Sequence, residues 1–144
     1  IEIVLVSVIL LVAGSPLLPW LPVTMLLLLL LAVFSLGIAL ALSVLTVYFR
    51  DLPYLWTIIV QVWFFLTPIV YTFDAVGDRL GKPARFIVDW NPMTKFVQSF
   101  RNTLFDGTHP SLSNLAYVAV CSIVSLIIGA AVFKRFNTRL AEEA

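Results

Sequence analysis

The feature that most constrains this chain is an uninterrupted apolar run, because residues 23–49 contain no charged side chain. At about 1.5 Å per helical residue, such a run reaches roughly 40 Å, which is enough to cross a bilayer with some tilt. Two aromatic residues, the charge pair Arg50-Asp51 and Pro53 mark its end. The run therefore predicts a membrane-spanning helix that ends in a tight turn at Arg50 and Asp51.

The composition of the whole chain agrees with a membrane location. Of its 144 residues, 61% are hydrophobic and only 12% are charged, whereas soluble domains are about half apolar and about a quarter charged. Too few polar side chains exist to cover a water-soluble surface, which excludes a soluble enzyme, a nucleic-acid-binding module and a disordered tail. The net charge of +1 gives no electrostatic reason for an acidic partner, and the single cysteine excludes a disulfide framework.

Three further apolar stretches are typical of membrane spans: residues 1–14, 54–73 and 115–133. The first is short for a span and begins at Ile1 rather than methionine, so we expect a fragment in which the start of this span is missing. The predicted fold is an all-α membrane protein with about four transmembrane helices, the first of them truncated.

Residues 74–114 are too many for a plain hairpin between two spans. Asn91 followed by Pro92 is a typical helix start, with an N-cap and a proline at the first helical position. An apolar stripe at helical spacing follows it, formed by Met93, Phe96, Val97, Phe100 and Leu104. With a shorter segment at residues 84–90, this pattern predicts two short amphipathic helices that dip into the membrane edge before the last span; a small cap on top of the bundle is the alternative.

Small residues recur four positions apart in two of the predicted spans. Such spacing allows helix backbones to approach closely in lipid, although alanine and serine are also common in any span. The pairs are Gly37 with Ala41, Ser125 with Gly129, and the series Ser35, Ala39 and Ser43.

The third predicted span contains a proline near its outer end. Pro68 leaves the carbonyl group of Phe64 without its helical partner, so we expect a bend there, with Thr67 partly satisfying that carbonyl.

The Lys and Arg residues divide almost evenly between the two sides of the predicted bundle, so their number does not decide its orientation. Arg50, Lys134 and Arg135 lie directly against span ends, where positive charge is most informative. They favour a cytoplasmic location for the Arg50 turn and for the C-terminus.

No constellation of residues in the sequence predicts catalysis. The lone His109 precedes a proline in a loop, Cys121 has no basic neighbour, and no acidic residue lies inside a predicted span. No phosphate-binding glycine loop occurs, so the chain is not expected to hydrolyse ATP, to bind a metal or to need a cofactor. A membrane glycosyltransferase using Asp74, Asp78 or Asp89 is an alternative, but these residues lack metal-ligand spacing.

Aromatic residues are concentrated in and near the third predicted span: Trp56, Trp63, Phe64, Phe65, Tyr71 and Phe73. Such rings stack on sugars without strict chemical demands, although aromatics near a span end also form an interface belt. Trp63 and Phe64 lie deeper than a belt requires, which makes them the best candidates for lining a path.

Four ordered segments together resemble the permease subunit of type-2 ABC exporters for bacterial surface polysaccharides, the O-antigen, teichoic-acid and galactan exporters. The segments are Tyr48-Phe49-Arg50-Asp51, the run from Trp63 to Tyr71, Asn91-Pro92-Met93, and Phe100-Arg101. The resemblance covers essentially the whole chain, and the ordered set is more specific than any single segment.

The resemblance implies that this chain corresponds to spans three to six of a six-span permease in the bacterial cytoplasmic membrane. Its two short helices, within residues 74–114, would be the extracytoplasmic gate helices. Two permease copies would form a central path, driven by two copies of a separate ATP-binding cassette subunit. The coupling helix that precedes span three in that family is absent, so the chain alone should not transport.

The same resemblance assigns expected roles to individual residues. Trp63, Phe64 and Tyr71 would contact the sugar rings of a lipid-linked polysaccharide. Asn91, Pro92 and Phe100 would shape the outer gate, and Arg101 would face cargo or lipid phosphate. Arg50 and Asp51 would mark the cytoplasmic turn. Export of a drug or another small lipophile is the alternative function.

Overall fold

The computed structural model describes residues 20–68 and 82–140, and every regular element within them is a helix. The all-α class is therefore confirmed. The predicted first span at residues 1–14 lies outside the described residues. The five helices are α1 (Leu21–Tyr48), α2 (Leu52–Leu66), α3 (Lys82–Asp89), α4 (Pro92–Leu104) and α5 (Leu112–Leu140).

Two of these helices are long and apolar enough to cross a membrane. They are α1, at Leu21–Tyr48, and the Leu112–Phe136 part of α5, with mean hydropathies of 2.9 and 2.5. Helix α1 begins two residues before the predicted stretch 23–49 and ends one residue before its end, and α5 extends beyond the predicted 115–133 at both ends. Helix α2 is apolar but only 15 residues long.

Helices α1 and α5 form the central pair, and two glycines allow their backbones to touch. A Cβ atom on Gly129 would lie 2.7 Å from the carbonyl carbon of Gly37, and one on Gly37 would lie 2.6 Å from the amide nitrogen of Leu126. Neither glycine can therefore carry a side chain at this crossing. Close approach is confirmed for the Gly37 and Gly129 pair, whereas Ser35, Ala39 and Ser43 are exposed.

Two serines of α5 reinforce the crossing by donating hydrogen bonds to carbonyl groups of α1. Ser125 Oγ lies 3.0 Å from the carbonyl oxygen of Phe34. Ser122 Oγ lies 2.9 Å from that of Leu30 and 2.8 Å from that of Val118 in its own helix. Both side chains therefore satisfy their hydroxyl groups inside an apolar interface, as a membrane interior requires.

Replacing Ser125 by alanine should lower the free energy of unfolding modestly, by about 0.6 kcal/mol, because one hydrogen bond between helices is lost. Ser43→Ala is the matched control, since the Ser43 hydroxyl bonds only to Leu40 of its own helix, at 2.9 Å. The free energy of unfolding of both variants is measured on the full-length gene product in micelles, by adding increasing amounts of a denaturing detergent. Equal stabilities for the two variants would contradict the assigned contact.

Contacts at the two ends of the pair define which chain segments share a side. The Tyr48 and Phe136 rings meet edge to face with centroids 5.2 Å apart, so the Arg50 turn and the Lys134-Arg135 segment lie at the same end. At the opposite end, Trp20 and His109 meet edge to face at 4.4 Å.

Helix α4 packs alongside the central pair rather than above it. Its Phe96 is 1% exposed and joins Phe34 and Val118 in the buried core. The rings of Phe34 and Phe96 are 5.9 Å apart, and Phe34 lies halfway along the 28-residue helix α1. A cap resting on top of the bundle could not reach this depth, so the contact favours the interpretation in which α4 dips into the bundle.

The predicted start of α4 is confirmed in detail. The Asn91 side chain caps the helix by accepting a hydrogen bond from the Met93 amide, and Pro92 occupies the first turn. Thr94, Ser99 and Thr103, which lie outside the predicted apolar stripe, are buried as well. Helix α4 is therefore enclosed on more than its apolar stripe.

The predicted bend in the third span is wrong for the described residues, because α2 ends at Leu66 and Thr67 is extended. The carbonyl of Phe64 accepts from the Thr67 amide at 3.2 Å, while the Thr67 hydroxyl donates to the carbonyl of Trp63 at 2.9 Å. Thr67 therefore ends the helix, and its amide satisfies the Phe64 carbonyl as expected. Residues 69–73 of the predicted span lie outside the described residues.

Candidate substrate path

An aromatic cleft of about 250 Å³ lies where α1, α2 and α4 meet. The described residues that line it include no charged side chain, and its few polar groups are neutral. Their chemistry suits a ligand recognised by ring stacking and dispersion rather than by ion pairing. The lining residues are Phe34, Ser35, Ile38, Trp56, Val60, Trp63, Phe64, Thr67 and Met93.

A second cleft, of about 360 Å³, lies between α2 and the glycine crossing of α1 and α5. Trp56 and Trp63 line both clefts, which share Ile38 as well. The two tryptophans are seven positions apart and therefore lie on one face of α2. That face is the aromatic side of α2, and it is the side turned toward α1.

The rest of α2 is apolar but unburied, since none of its 15 residues is buried in the described chain. Apart from Thr57, Gln61 and the Tyr54 hydroxyl, the exposed side chains of α2 are apolar, and such a surface belongs in lipid or against another protein. The large exposed side chains on α2 include Tyr54, Leu55, Ile58, Ile59, Val62 and Phe65.

Trp63 is held in the cleft wall by a hydrogen-bond network that joins α2 to α4. Its indole Nε1 donates to Asn91 Oδ1 at 2.8 Å, and Asn91 Nδ2 donates to Thr67 Oγ1 at 3.2 Å. Its ring also meets Phe34 edge to face, with centroids 6.3 Å apart. Asn91 is 8% exposed, so this network is shielded from solvent.

The structure brings some of the predicted path residues together and separates others. Trp63 and Phe64 both line the first cleft, with Phe64 still 48% exposed and its ring 5.7 Å from that of Phe65. Tyr71 lies outside the described residues. Trp63 and Phe64 therefore line the same cleft, and their contact with cargo stays a prediction.

The predicted gate residues occupy different environments on and beside α4. Asn91 and Pro92 form the start of the helix, next to the cleft. Phe100 packs against the buried core of Phe34, Phe96 and Val118. Arg101 is half-buried near the other end of α4, so it lies apart from Asn91 by most of the helix.

Arg50 and Asp51 form the predicted turn between α1 and α2, and both are exposed. The carbonyl group of Asp51 accepts from the amides of Tyr54 and Leu55, at 3.1 Å each. Asp51 thus begins α2 through its backbone, and its carboxylate makes no capping bond. Both charges remain available at the surface of this end of the molecule.

Sequence reasoning missed Phe34 and the second role of Asn91. Phe34 is the one aromatic residue of the apolar run before its terminal pair, which was a usable signal for a packing or lining position. The hydrogen bond between Asn91 and Trp63 joins residues 28 positions apart in the chain, so no local sequence pattern predicts it.

No group of three or more His, Cys, Asp or Glu side chains that could hold a metal occurs in ranges 20–68 and 82–140. His109 is exposed in the loop before α5, and Cys121 is half-buried within that helix. Neither residue lines the aromatic cleft, whose described lining includes no titratable side chain.

The fold and the cleft define a class of protein, a helical membrane protein with an uncharged aromatic wall. The sequence profile of the ABC-2 type transporter family matches residues 1–105. The chain therefore belongs to the ABC-2 type transporter family. No solved structure matches the chain significantly.

Curated relatives are permeases named for O-antigen export. The O-antigen export system permease protein RfbA of Klebsiella pneumoniae is 27% identical over 113 residues, which are 76% of this chain and 40% of that protein. The protein of the same name from Myxococcus xanthus is 26% identical over 109 residues, which are 76% of this chain and 41% of the relative. The chain thus spans about two-fifths of the length of these relatives.

Proposed function

We propose that this chain forms one half of the translocation path of an ABC exporter for lipid-linked cell-surface polysaccharide. The observation that carries the proposal is the uncharged cleft lined by Trp56, Trp63 and Phe64. Aromatic walls of this kind hold sugar rings through stacking contacts that are weak enough to release a moving chain. The names of the two relatives support the same cargo class.

The path would be completed by a second permease copy, and a separate ATP-binding cassette subunit would drive it. The largely apolar, unburied surface of α2 supports the need for a partner surface or lipid around it. No acidic side chain lies among the described residues of α1 between Leu21 and Tyr48, so proton coupling inside the membrane has no carrier there. The energy is therefore assigned to a partner subunit.

The charged end of the bundle supports the proposed orientation. The contact between Tyr48 and Phe136 brings the Arg50 turn beside Lys134 and Arg135, and a basic cluster at span ends favours the cytoplasmic side. In this orientation the C-terminus is cytoplasmic in the inner membrane. Helices α3 and α4 then form an extracytoplasmic gate, to which Asn91, Pro92, Phe100 and Arg101 belong.

Replacing Trp63 and Phe64 together by alanine should lower export by about tenfold or more, because each ring contributes a stacking contact of roughly 0.5–1.5 kcal/mol. Export is measured as surface polysaccharide in cells that carry the full-length gene product and its ATP-binding subunit. Membrane levels of the variant should stay near those of the unaltered protein.

Phe65→Ala is the matched control for this experiment, since Phe65 is the neighbouring aromatic residue, is 69% exposed and does not line the cleft. Unchanged export by the Trp63 and Phe64 variant would contradict the lining role. Stimulation of the partner's ATPase activity by small lipophiles, without stimulation by polysaccharide-lipid, would instead assign the permease to drug export.

A further inference from the structure

Resting on the proposed function, we infer that Asn91 is a positioning residue that fixes the Trp63 indole as a stacking surface with no hydrogen-bond donor left for cargo. The aromatic composition of the cleft alone leaves open how the path recognises sugar, and this positioning of Trp63 addresses it. It depends on the hydrogen bonds that join the last turn of α2 to the first turn of α4.

Asn91 does more than a helix cap requires. Its Oδ1 accepts from the Met93 amide at 3.0 Å and from the Trp63 indole at 2.8 Å, while its Nδ2 donates to Thr67 at 3.2 Å. Capping alone needs one acceptor, which serine, threonine or aspartate would supply equally well. The side-chain amide of Asn91 places its acceptor and its donor on separate atoms, so one oxygen serves Met93 and Trp63 while the nitrogen serves Thr67.

Thr67 determines which way the Asn91 amide faces. The Thr67 hydroxyl donates its proton to the Trp63 carbonyl at 2.9 Å, so toward Asn91 it presents a lone pair. The amide must therefore turn its NH₂ group to Thr67 and its oxygen to the Trp63 indole. The three side chains form a closed ring of hydrogen bonds that holds Trp63 by its backbone and by its indole.

This ring of bonds uses the only donor that the Trp63 side chain possesses. An indole has a single N–H and no acceptor nitrogen, so Trp63 cannot also donate to a sugar hydroxyl group in the cleft. What it presents is its ring surface, and its edge contact with Phe34 at 6.3 Å restricts the ring plane further. Stacking on such a surface needs an apolar C–H face on the sugar but no hydrogen bond to a particular hydroxyl group.

The arrangement therefore predicts low selectivity among sugar units at this point of the path. If the Trp63 indole donated its N–H to cargo, that hydrogen bond would have to break and reform at each repeat of a moving polymer. A ring that only stacks lets successive units pass with similar free energy. Because the same Asn91 oxygen caps α4, the orientation of the ring and the first turn of α4 depend on one atom.

The test uses the full-length gene product labelled with 5-fluorotryptophan in lipid nanodiscs, observed by fluorine NMR. The Trp63 resonance is the one that disappears in Trp63→Phe. Asn91→Ser keeps a helix cap, but the shorter side chain cannot also reach the Trp63 indole and Thr67, so we expect the Trp63 resonance to shift or broaden. Amide exchange at residues 93–95 should stay slow in Asn91→Ser and become faster in Asn91→Ala, which loses the cap.

Export supplies the second readout. Asn91→Ser should lower export by between about two- and tenfold, the effect of losing a buried hydrogen bond. In the Trp63→Phe background the same substitution should have no further effect, because Asn91 acts through the indole N–H. An additive effect there, or an unshifted Trp63 resonance in Asn91→Ser, would overturn the inference.

The two proposals fail in distinguishable ways. If replacing Trp63 and Phe64 leaves export unchanged, the lining role is wrong, while the fluorine resonance still reports whether Asn91 holds the indole. If the resonance is insensitive to Asn91→Ser but the alanine variants of Trp63 and Phe64 block export, the cleft is used and Asn91 does not position its wall.

Discussion

Leucine in place of Gly129 is expected to separate α1 from α5 and to prevent stable folding. Even a single Cβ atom at this position would lie within 2.9 Å of the Gly37 Cα and still closer to its carbonyl carbon. The obstacle is backbone, which cannot rotate away as a side chain could. Overpacking usually costs about 1–3 kcal/mol, and we expect a larger cost here because the two helices must move apart.

The separation would also break the two serine hydrogen bonds beside the glycines, from Ser122 to Leu30 and from Ser125 to Phe34. The measurement is the melting temperature and the yield of the full-length gene product in detergent. Ala131→Leu is the control, because Ala131 is exposed on the same helix and receives the same added side chain type. A Gly129→Leu protein that melts with the control would show that the glycine crossing is not required.

Replacing Phe96 by alanine should have the second largest effect, a loss of about 3–5 kcal/mol in the free energy of unfolding. Phe96 is 1% exposed and connects α4 to Phe34 of α1 and Val118 of α5. Its removal leaves a cavity between three helices. We expect α4 to lose protection from hydrogen exchange before the pair of α1 and α5 does, because the glycine crossing does not involve Phe96.

Phe105→Ala is the matched control, since Phe105 follows α4 directly and is 67% exposed. Hydrogen exchange followed by mass spectrometry on peptides that cover residues 92–104 measures the difference between the variants. Equal exchange in the two variants, or loss of protection in α1 and α5 at the same rate as in α4, would contradict the role assigned to Phe96.

The long helices and the start of α4 were predictable because their signals are local. An uncharged apolar run of sufficient length has few alternatives to a spanning helix, and α1 at Leu21–Tyr48 lies close to the predicted residues 23–49. The N-cap at Asn91 was predictable for a similar reason, since the capping bond joins residues two positions apart. The sequence also predicted that Arg50, Lys134 and Arg135 share one end, because two predicted spans, 54–73 and 115–133, separate the Arg50 turn from Lys134.

The end of α2 shows why a local signal can mislead. Pro68 removes a donor, and from the sequence a bend and a helix end are both consistent with that loss. Thr67 is extended and its hydroxyl bonds back to Trp63, which leaves Thr67 placed to accept from Asn91. A partner from another helix therefore decides the outcome at this position.

The same difference separates the small-residue pattern from the actual crossing. Two sets of small residues on α1 were equally good candidates, and Gly37 is buried while Ser35, Ala39 and Ser43 are exposed. Spacing identifies which residues share a helix face, but the face that meets α5 depends on packing across the whole interface.

The sequence alone determined the length of the apolar segments, the cap of α4 and the charges at the span ends. Each of these depends on residues a few positions apart or on the composition of one segment. The aromatic wall is different. That Trp63 faces Phe34 and gives its only N–H to Asn91 follows from three helices meeting, and contacts between residues distant in the chain form only when tertiary packing brings them within hydrogen-bonding distance.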